Sequence, residues 1–449
     1  MGELKKGSKK LLNAWAFYDW ANSVYPLVIS SAVFPIFYGA LTIIKDEETG
    51  KVLDDTVIFL GYEFNNDSLI SYVTAFSFLI VSILSPILSG ISDYVGNKEG
   101  FMKFFCYLGA ISCIGLYWFS LENLIFGMVC YVLGLVGFWG SLVFYNSYLP
   151  DIAYPEQQDK ISAKGFSLGY VGSVILLVIN LIMILYYDVF GFESSAQPTR
   201  IAFIMVGVWW ILFAQYTFKH LPTGTNEGHK VTKYVLMYGY NELKKIWNAL
   251  KSNKTLKRYL SAFFVYSMAV QTIMIAATYF AVEELDWGTQ DSTKGLIISI
   301  LLIQLIAVLG ANFTAKLSKK IGNIKALICV ICVWILICGF AYFVTTPTHF
   351  YITAASVGLV MGGIQALSRS TYSKLIPEGS VDTASYFSFY DVAEKIGIVI
   401  GMFLYGFIAQ ITGSMRYSIL FLITFFIIGV IILYSIKNIR VEDVQEVNT

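Results

Sequence analysis

Asp19 and Asn22 lie one helical turn apart in the segment Phe17-Tyr18-Asp19-Trp20-Ala21-Asn22-Ser23. They put an acid and an amide on one face of a stretch that is otherwise apolar. An ionisable group at membrane depth costs roughly 2.5–3.5 kcal/mol on insertion scales, so it faces a bundle interior, a cavity or a partner. Asp19 with Asn22 could hold the amine of a solute or carry a coupling proton, because desolvation and a nearby cation pull a carboxylate in opposite directions. The competing reading is a hydrogen-bond network that packs helices. Tyr18 flanks the pair and shares both readings.

Further along, Arg369 interrupts another apolar stretch, and Asp391, Glu394 and Lys395 interrupt a third. Arg369 could contact a carboxylate or phosphate through two parallel N–H bonds. It could equally close one end of a bundle by pairing with Asp391 or Glu394. Lys395 follows Glu394 directly, faces about 100° away on a helix of 3.6 residues per turn, and is expected to pair elsewhere or to extend toward the interface. Asn146, Gln271 and Gln365 are amides within or at the ends of apolar stretches, suited to lining a polar cavity.

The elements that must position these groups follow from composition. The chain has 449 residues, of which 57% are hydrophobic and 14% charged, with a mean hydropathy of +0.66. Soluble domains carry about 25% charged residues. Apolar stretches long enough to cross a bilayer recur from end to end. They read as twelve helices, at roughly 12–40, 68–92, 101–120, 123–148, 165–188, 200–221, 256–283, 292–316, 324–345, 349–371, 383–412 and 415–437. The basic start, Met1 to Lys10, leads into a run that is too long for a cleaved signal and is read as a retained first span. The six cysteines all fall in apolar stretches and read as small packing residues; no histidine lies deep in a span, so no metal site is expected.

Of the 31 Lys and Arg residues, Lys45, Lys51, Arg200, Lys294 and Arg416 fall in loops on one side, and Arg369 and Lys395 within spans. All the others fall on the opposite side, together with both termini. The positive-inside rule makes that side cytoplasmic. The first outside loop, 41–67, is acidic and reads as solvated. The inside connection, 222–255, carries Leu243, Ile246, Trp247 and Leu250 opposite Lys244, Lys245 and Lys251, which reads as an amphipathic helix lying on the membrane surface.

That connection bisects the chain, and short matches recur across it in order. Gly96-Asn97 returns as Gly322-Asn323, Leu149-Pro150-Asp151 as Ile376-Pro377-Glu378, and Phe166-Ser167 as Phe387-Ser388. Two parallel six-helix repeats about an axis along the membrane normal are implied, with a site between them near the midplane. The expected units are 1–221, 222–255 and 256–449.

Ser92-Asp93-Tyr94-Val95-Gly96-Asn97-Lys98 resembles the major facilitator signature between spans 2 and 3, in which the acid, here Asp93, caps a neighbouring helix. Ser89, Tyr94 and Asn97 depart from that signature, and the second copy has Lys319 where the acid would stand. Phe17 to Tyr25, Tyr145 to Ala153, Gly362 to Pro377 and Phe389-Tyr390-Asp391-Val392 resemble the branch that includes the fungal vacuolar amino-acid effluxer. The resemblance implies an all-α polytopic membrane protein with the major facilitator fold, spans 1, 4, 7 and 10 lining a cavity and spans 2, 5, 8 and 11 packed between halves. It further implies a secondary transporter of a small polar solute, an amino acid or related metabolite, working by alternating access with protons as coupling ion. Transport of a peptide, sugar or drug, or a receptor that kept the fold, are the alternatives. No P-loop G-x-x-x-x-G-K-[ST] occurs, which speaks against ATP drive by this chain. An enzyme is not expected, and neither are cofactors or nucleic acid. A monomer in the cell membrane is. The substrate or proton candidates are Asp19, Asn22, Tyr18, Asn146, Gln271, Gln365 and Arg369, and the gate candidates Asp391, Glu394, Lys395 and Asp93.

Overall fold

The computed structural model describes residues 4–45, 52–223, 234–288 and 291–436. Among them are twelve helical spans long and apolar enough to cross a membrane. Spans 1 to 6 are Lys9–Thr42, Asn66–Val95, Lys98–Trp118, Leu124–Ile152, Pro155–Leu185 and Ala196–Phe218. Spans 7 to 12 are Lys254–Glu284, Ser292–Ile321, Asn323–Ala341, Pro347–Leu375, Thr383–Thr412 and Met415–Tyr434. An even number of crossings puts the start of span 1 and the end of span 12 on one side, called here the terminal side.

Span 1 is not the single regular helix expected. It runs as an α-helix Lys9–Asn22, a π-helical stretch Tyr25–Val33 and an α-helix Phe34–Thr42. Pro26 and Pro35 explain the change, since a proline removes one backbone donor and crowds the preceding turn. Ser31 Oγ donates to the Pro26 carbonyl five residues back at 2.9 Å, matching the wider winding. Span 5 starts at Pro155, not near 165. Apolar periodicity marks where a helix meets lipid, whereas this helix continues past it through Glu156-Gln157-Gln158-Asp159.

The spans pair in a pattern that repeats. Span 1 packs on 5 and 6, span 3 on 4 and 6, and span 2 on 4. Span 7 likewise packs on 11 and 12, span 9 on 10 and 12, and span 8 on 10. Two large apolar cores result, one almost wholly within spans 1–6 and the other within spans 7–12. Between the halves, span 2 meets span 11 and span 5 meets span 8, with span 4 on 11 and span 5 on 10. This is the two-fold arrangement of a duplicated six-helix unit.

Two connections differ from expectation. On the far side, the stretch read as an acidic loop carries two antiparallel hairpins, Ile44–Lys45 with Val52–Asp54 and Thr56–Phe59 with Tyr62–Asn65. Leu60 and Gly61, both with positive φ (52° and 84°), form the two-residue turn that such hairpins favour. Asp46, Glu47 and Glu48 of that loop lie outside the described residues. On the terminal side, the amphipathic helix Val235–Ser252 packs on protein, not on the membrane surface alone. Ile246 and Leu250 are buried in the core of the second half, while Tyr238 stacks on Tyr94 of span 2 at 4.8 Å. A Cβ at Gly90 of span 2 would overlap the Gly239 carbonyl, so glycine permits the close crossing. The helix thus touches both halves.

Candidate functional site

Span 1 enters from the terminal side, and Asp19 stands about 15 Å along it at 1.5 Å per residue. Span 10 descends from the far side and brings Arg369 to the same level. Arg369 Nη2 lies 3.2 Å from Asp19 Oδ2, and the two side chains are 3% and 5% exposed. The alternative partners expected for Arg369, Asp391 and Glu394, are engaged elsewhere. Removing two charges from water is costly, and the pair persists only if further hydrogen bonds complete it.

Those bonds come from spans 4 and 5. Tyr145 Oη donates to Asp19 Oδ2 at 2.9 Å. Arg369 donates from Nε to Ser162 Oγ at 3.0 Å, from Nη2 to the Ser162 carbonyl at 3.0 Å and from Nη1 to Asn146 Oδ1 at 3.2 Å. The guanidinium also lies over the rings of Phe166 (4.2 Å) and Trp15 (4.9 Å), a placement that suits its planar, weakly hydrated cation. Trp15 Nε1 bonds the Tyr145 carbonyl at 2.8 Å and its ring stacks on Tyr145 at 4.5 Å, which fixes the donor to Asp19. Gly165 closes the floor. A Cβ there would overlap Asp19 Oδ2, so only glycine lets span 5 come this near.

Tyr18 is fully buried between Tyr145 and Phe218. Asn22 is also buried, and its Oδ1 accepts a long 3.4 Å bond from Ser23 Oγ. Gln365, one turn above Arg369, accepts from Tyr170 Oη of span 5 at 2.6 Å. The structure therefore gathers Asp19, Arg369, Asn146 and Gln365 along the seam between the halves and sets Tyr18 and Asn22 behind it.

Gln271, Asp391, Glu394 and Lys395 form a separate cluster. Lys395, wholly buried, donates to Asp391 Oδ1 at 2.6 Å and Glu394 Oε2 at 3.0 Å. The expectation that Lys395 pairs away from these acids is corrected, because its flexible four-carbon stem folds back toward both. Its ammonium stands 3.3 Å from the centroid of Trp139 on span 4. Gln271 Nε2 of span 7 donates to Glu394 Oε1 at 2.6 Å, and Ser85 Oγ of span 2 to Asp391 Oδ2 at 3.3 Å.

The terminal side is closed by two related latches. In the first, Asp93 at the end of span 2 accepts from the backbone N–H groups of Ser385 (2.7 Å) and Ala384 (3.3 Å), opening span 11. A carboxylate at a helix N-terminus meets both free donors and the positive end of the dipole. Lys98 joins Asp151 (2.8 Å) and Thr383 beside it. In the second, the carboxylate is Asp159 of span 5. It accepts from Lys374 (2.7 Å), Asn323 Nδ2 (2.9 Å) and Ser318 Oγ (2.9 Å) of the other half. Lys319 stands where the repeat lacks its acid, and Asp159 supplies one from across the seam. Lys245 of the connecting helix bonds Asp382, just before span 11, at 2.7 Å. That hydrogen bond is the main reason its ammonium pKa lies above the usual lysine value.

Several of these residues carry no sequence signal. Ser162 and Asp159 fall before the expected start of span 5, Gly165 stands in its first turn, and Phe166 is marked only by its place in the repeat. Only the close run Gly165, Gly169, Gly172 on span 5 hints at a helix that another approaches.

Comparison with known proteins agrees with this architecture. Residues 7–443 match the family model described as vacuole effluxer Atg22 like. The chain is 30% identical to the MFS-type transporter YxiO of Bacillus subtilis, over 99% of this chain and 98% of that one. It is 26% identical to autophagy-related protein 22 of Vanderwaltozyma polyspora, over 98% and 92%. Among solved structures, the transporter FucP in the outward conformation aligns with a TM-score of 0.66 at 14% identity, covering 95% of this chain and 97% of that one. The proton:xylose symporter XylE aligns at 0.68 with 10% identity, covering 98% of each. With twelve spans in two related halves, closed by a charged seam, the chain is a multi-pass membrane protein of the major facilitator fold and belongs to the Atg22-like effluxer family.

Proposed function

We propose that this protein is a secondary transporter that moves a small zwitterionic solute, an amino acid or related metabolite, by alternating access, with Asp19 and Arg369 as its substrate pair. The observation that carries the reading is the ion pair itself, which joins span 1 of one half to span 10 of the other at 3.2 Å in a buried site. Separating the halves there would strand a carboxylate and a guanidinium in a poorly solvated seam, at a cost of several kcal/mol. A solute that brings one ammonium and one carboxylate replaces each partner one for one. A singly charged solute leaves one group without a countercharge, and a neutral sugar leaves both. Efflux from the cytoplasm across the cell membrane, with the terminal side cytoplasmic, completes the proposal; the Lys and Arg distribution supports that orientation.

The test is a thermal-shift screen of the purified protein, since a ligand that binds only the folded state raises its melting temperature. Free α-amino acids should stabilise it, and their N-acetyl and amide derivatives should not. Stabilisation by sugars, or equally by the blocked derivatives, would refute the zwitterion reading.

A further inference from the structure

The connecting helix Val235–Ser252 carries two stripes, and only one of them is covered by protein. Gly239, Ile246 and Leu250 pack on the bundle. Met237, Tyr240, Lys244, Trp247 and Lys251 recur at intervals of three, four, three and four residues. At 100° per residue these five fall within an arc of about 80°. All five are exposed. Trp247 belongs to this second stripe and not to the buried one. Its ring rests on Phe389 of span 11 at 5.7 Å, and Lys251 Nζ stands 5.2 Å from its centroid.

The charge along this stripe and beyond it has one sign. From Lys244 to Arg258 the chain has five lysines, one arginine and no acid. Lys245 is taken up by Glu242 and Asp382. Among the described residues, Lys244, Lys251, Lys254, Lys257 and Arg258 pair with no carboxylate. Arg258 donates to the Ser435 carbonyl at the end of span 12, which fixes the cluster at the terminal ends of spans 7 and 12. Depth follows from two contacts. Gly239 crosses Gly90, five residues before the end of span 2, and Trp247 meets Phe389, six residues into span 11. Each contact lies about 8–9 Å inside the end of its span at 1.5 Å per residue. The helix therefore lies level with the polar margin of the bilayer.

We infer that the stripe Met237 to Lys251, with the cations at the foot of span 7, is a binding site for anionic phospholipid. Lys244 and Lys251 stand two turns apart and supply ammonium donors to a headgroup phosphate. Lys254, Lys257 and Arg258 add to the positive potential that draws anionic lipid to such a segment. Tyr240 and Trp247 have an apolar body and a polar tip, the form that suits the headgroup level. Met237 offers flexible apolar surface to the first carbons of an acyl chain. A free phosphate would use the lysines and leave the three apolar members in water, so the composition of the stripe favours a lipid. The same helix is held to span 2 through Gly90 and Tyr94 and to span 11 through Asp382 and Phe389. A lipid bound there holds a strap laid across the seam between the halves. The site stands whatever solute the seam carries.

The probe is phosphatidylglycerol brominated near the headgroup end of its acyl chains, a minor component of phosphatidylcholine vesicles that carry the full-length protein. Brominated phosphatidylcholine at the same fraction is the reference. The signal of Trp247 is the difference between the unaltered protein and Trp247→Phe. Its quenching by the anionic lipid should exceed that by the zwitterionic one by about threefold or more. The excess should vanish in Lys244→Gln with Lys251→Gln. It should persist in Lys319→Gln with Lys320→Gln, the same loss of charge at the terminal end of span 8. Equal quenching by the two lipids, or equal loss in both double variants, would overturn the site. Inorganic phosphate in large excess should leave the quenching unchanged; if it abolishes the excess, the lysines serve a soluble anion and the lipid assignment fails. A second measurement carries the test if Trp247→Phe does not fold. Phosphatidylglycerol should slow proteolysis of the connecting helix in the unaltered protein and not in the Lys244, Lys251 double variant, and equal slowing in both counts against the site.

Discussion

Tyr145 and Arg369 converge on one oxygen: Tyr145 Oη at 2.9 Å and Arg369 Nη2 at 3.2 Å both reach Asp19 Oδ2. One donor belongs to the same half as Asp19 and the other to the opposite half. Parting the two halves would remove the second and keep the first, so the carboxylate keeps its orientation while its countercharge departs.

Breaking that pair by halves should cost more than removing it. Asp19→Asn leaves Arg369 buried and uncompensated, with an expected loss of about 3–5 kcal/mol. The double variant Asp19→Asn with Arg369→Gln should recover much of this while remaining inactive. Melting curves of the single and double variants, together with vesicle flux, measure both. Equal destabilisation in single and double variants would contradict the role of the pair.

Arg369→Lys keeps the charge but loses the planar fork that reaches Ser162 and Asn146. Substrate affinity should fall at least tenfold, about 1.4 kcal/mol. Retained affinity in equilibrium binding would make Arg369 a gate and not a ligand.

Gly165→Ala should separate Asp19 from Arg369, because the added methyl lands on Asp19 Oδ2. Overpacking of this kind costs about 1–3 kcal/mol. Gly397→Ala serves as the control, since its nearest neighbours stand at an ordinary 3.5 Å; its melting temperature should stay close to that of the unaltered protein, and Gly165→Ala should fall well below it.

The second latch should respond to charge. Lys374→Gln removes the 2.7 Å bond to Asp159 and weakens the closed terminal side by about 1.5–3 kcal/mol, the worth of a hydrogen bond to a charged group. Labelling of a cysteine placed at the seam should rise by tenfold or more. Exchanging the two residues, Asp159→Lys with Lys374→Asp, should restore protection.

Lys245 gives a pH prediction on the terminal side. Its pKa is raised by Asp382, so the contribution of this bridge is present below the ordinary lysine pKa and is lost as pH rises through the elevated value. Limited proteolysis of the connecting helix should therefore stay slow through neutral pH and quicken only in the alkaline range. Lys245→Gln should quicken it at neutral pH as well.

The spans and their duplication were legible because apolar length and internal matches are properties of the chain. Asp19 and Arg369 stood out singly because a charge in an apolar run is costly wherever it points. Their pairing was not legible, since Asp391 and Glu394 lie at a similar depth and offer the same charge. Lys395 was misplaced by reasoning from the direction of its Cβ alone, which ignores how far a four-carbon stem bends. Gly165, Ser162 and Trp15 gain their roles only once span 5 has packed on span 1. The connecting helix announced its two faces, but whether lipid or protein would cover the apolar one depends on Gly90 and Gly239, far apart in sequence.

Among the described residues, both ion pairs that join the spans of one half to those of the other share a polarity. Asp19 and Asp159 belong to the first half, Arg369 and Lys374 to the second. Parting the terminal side must therefore draw apart a negative wall and a positive one, with an electric field across the water that enters between them. A dipolar solute arriving there is turned before it touches either wall, its cationic end toward spans 1 and 5 and its anionic end toward span 10.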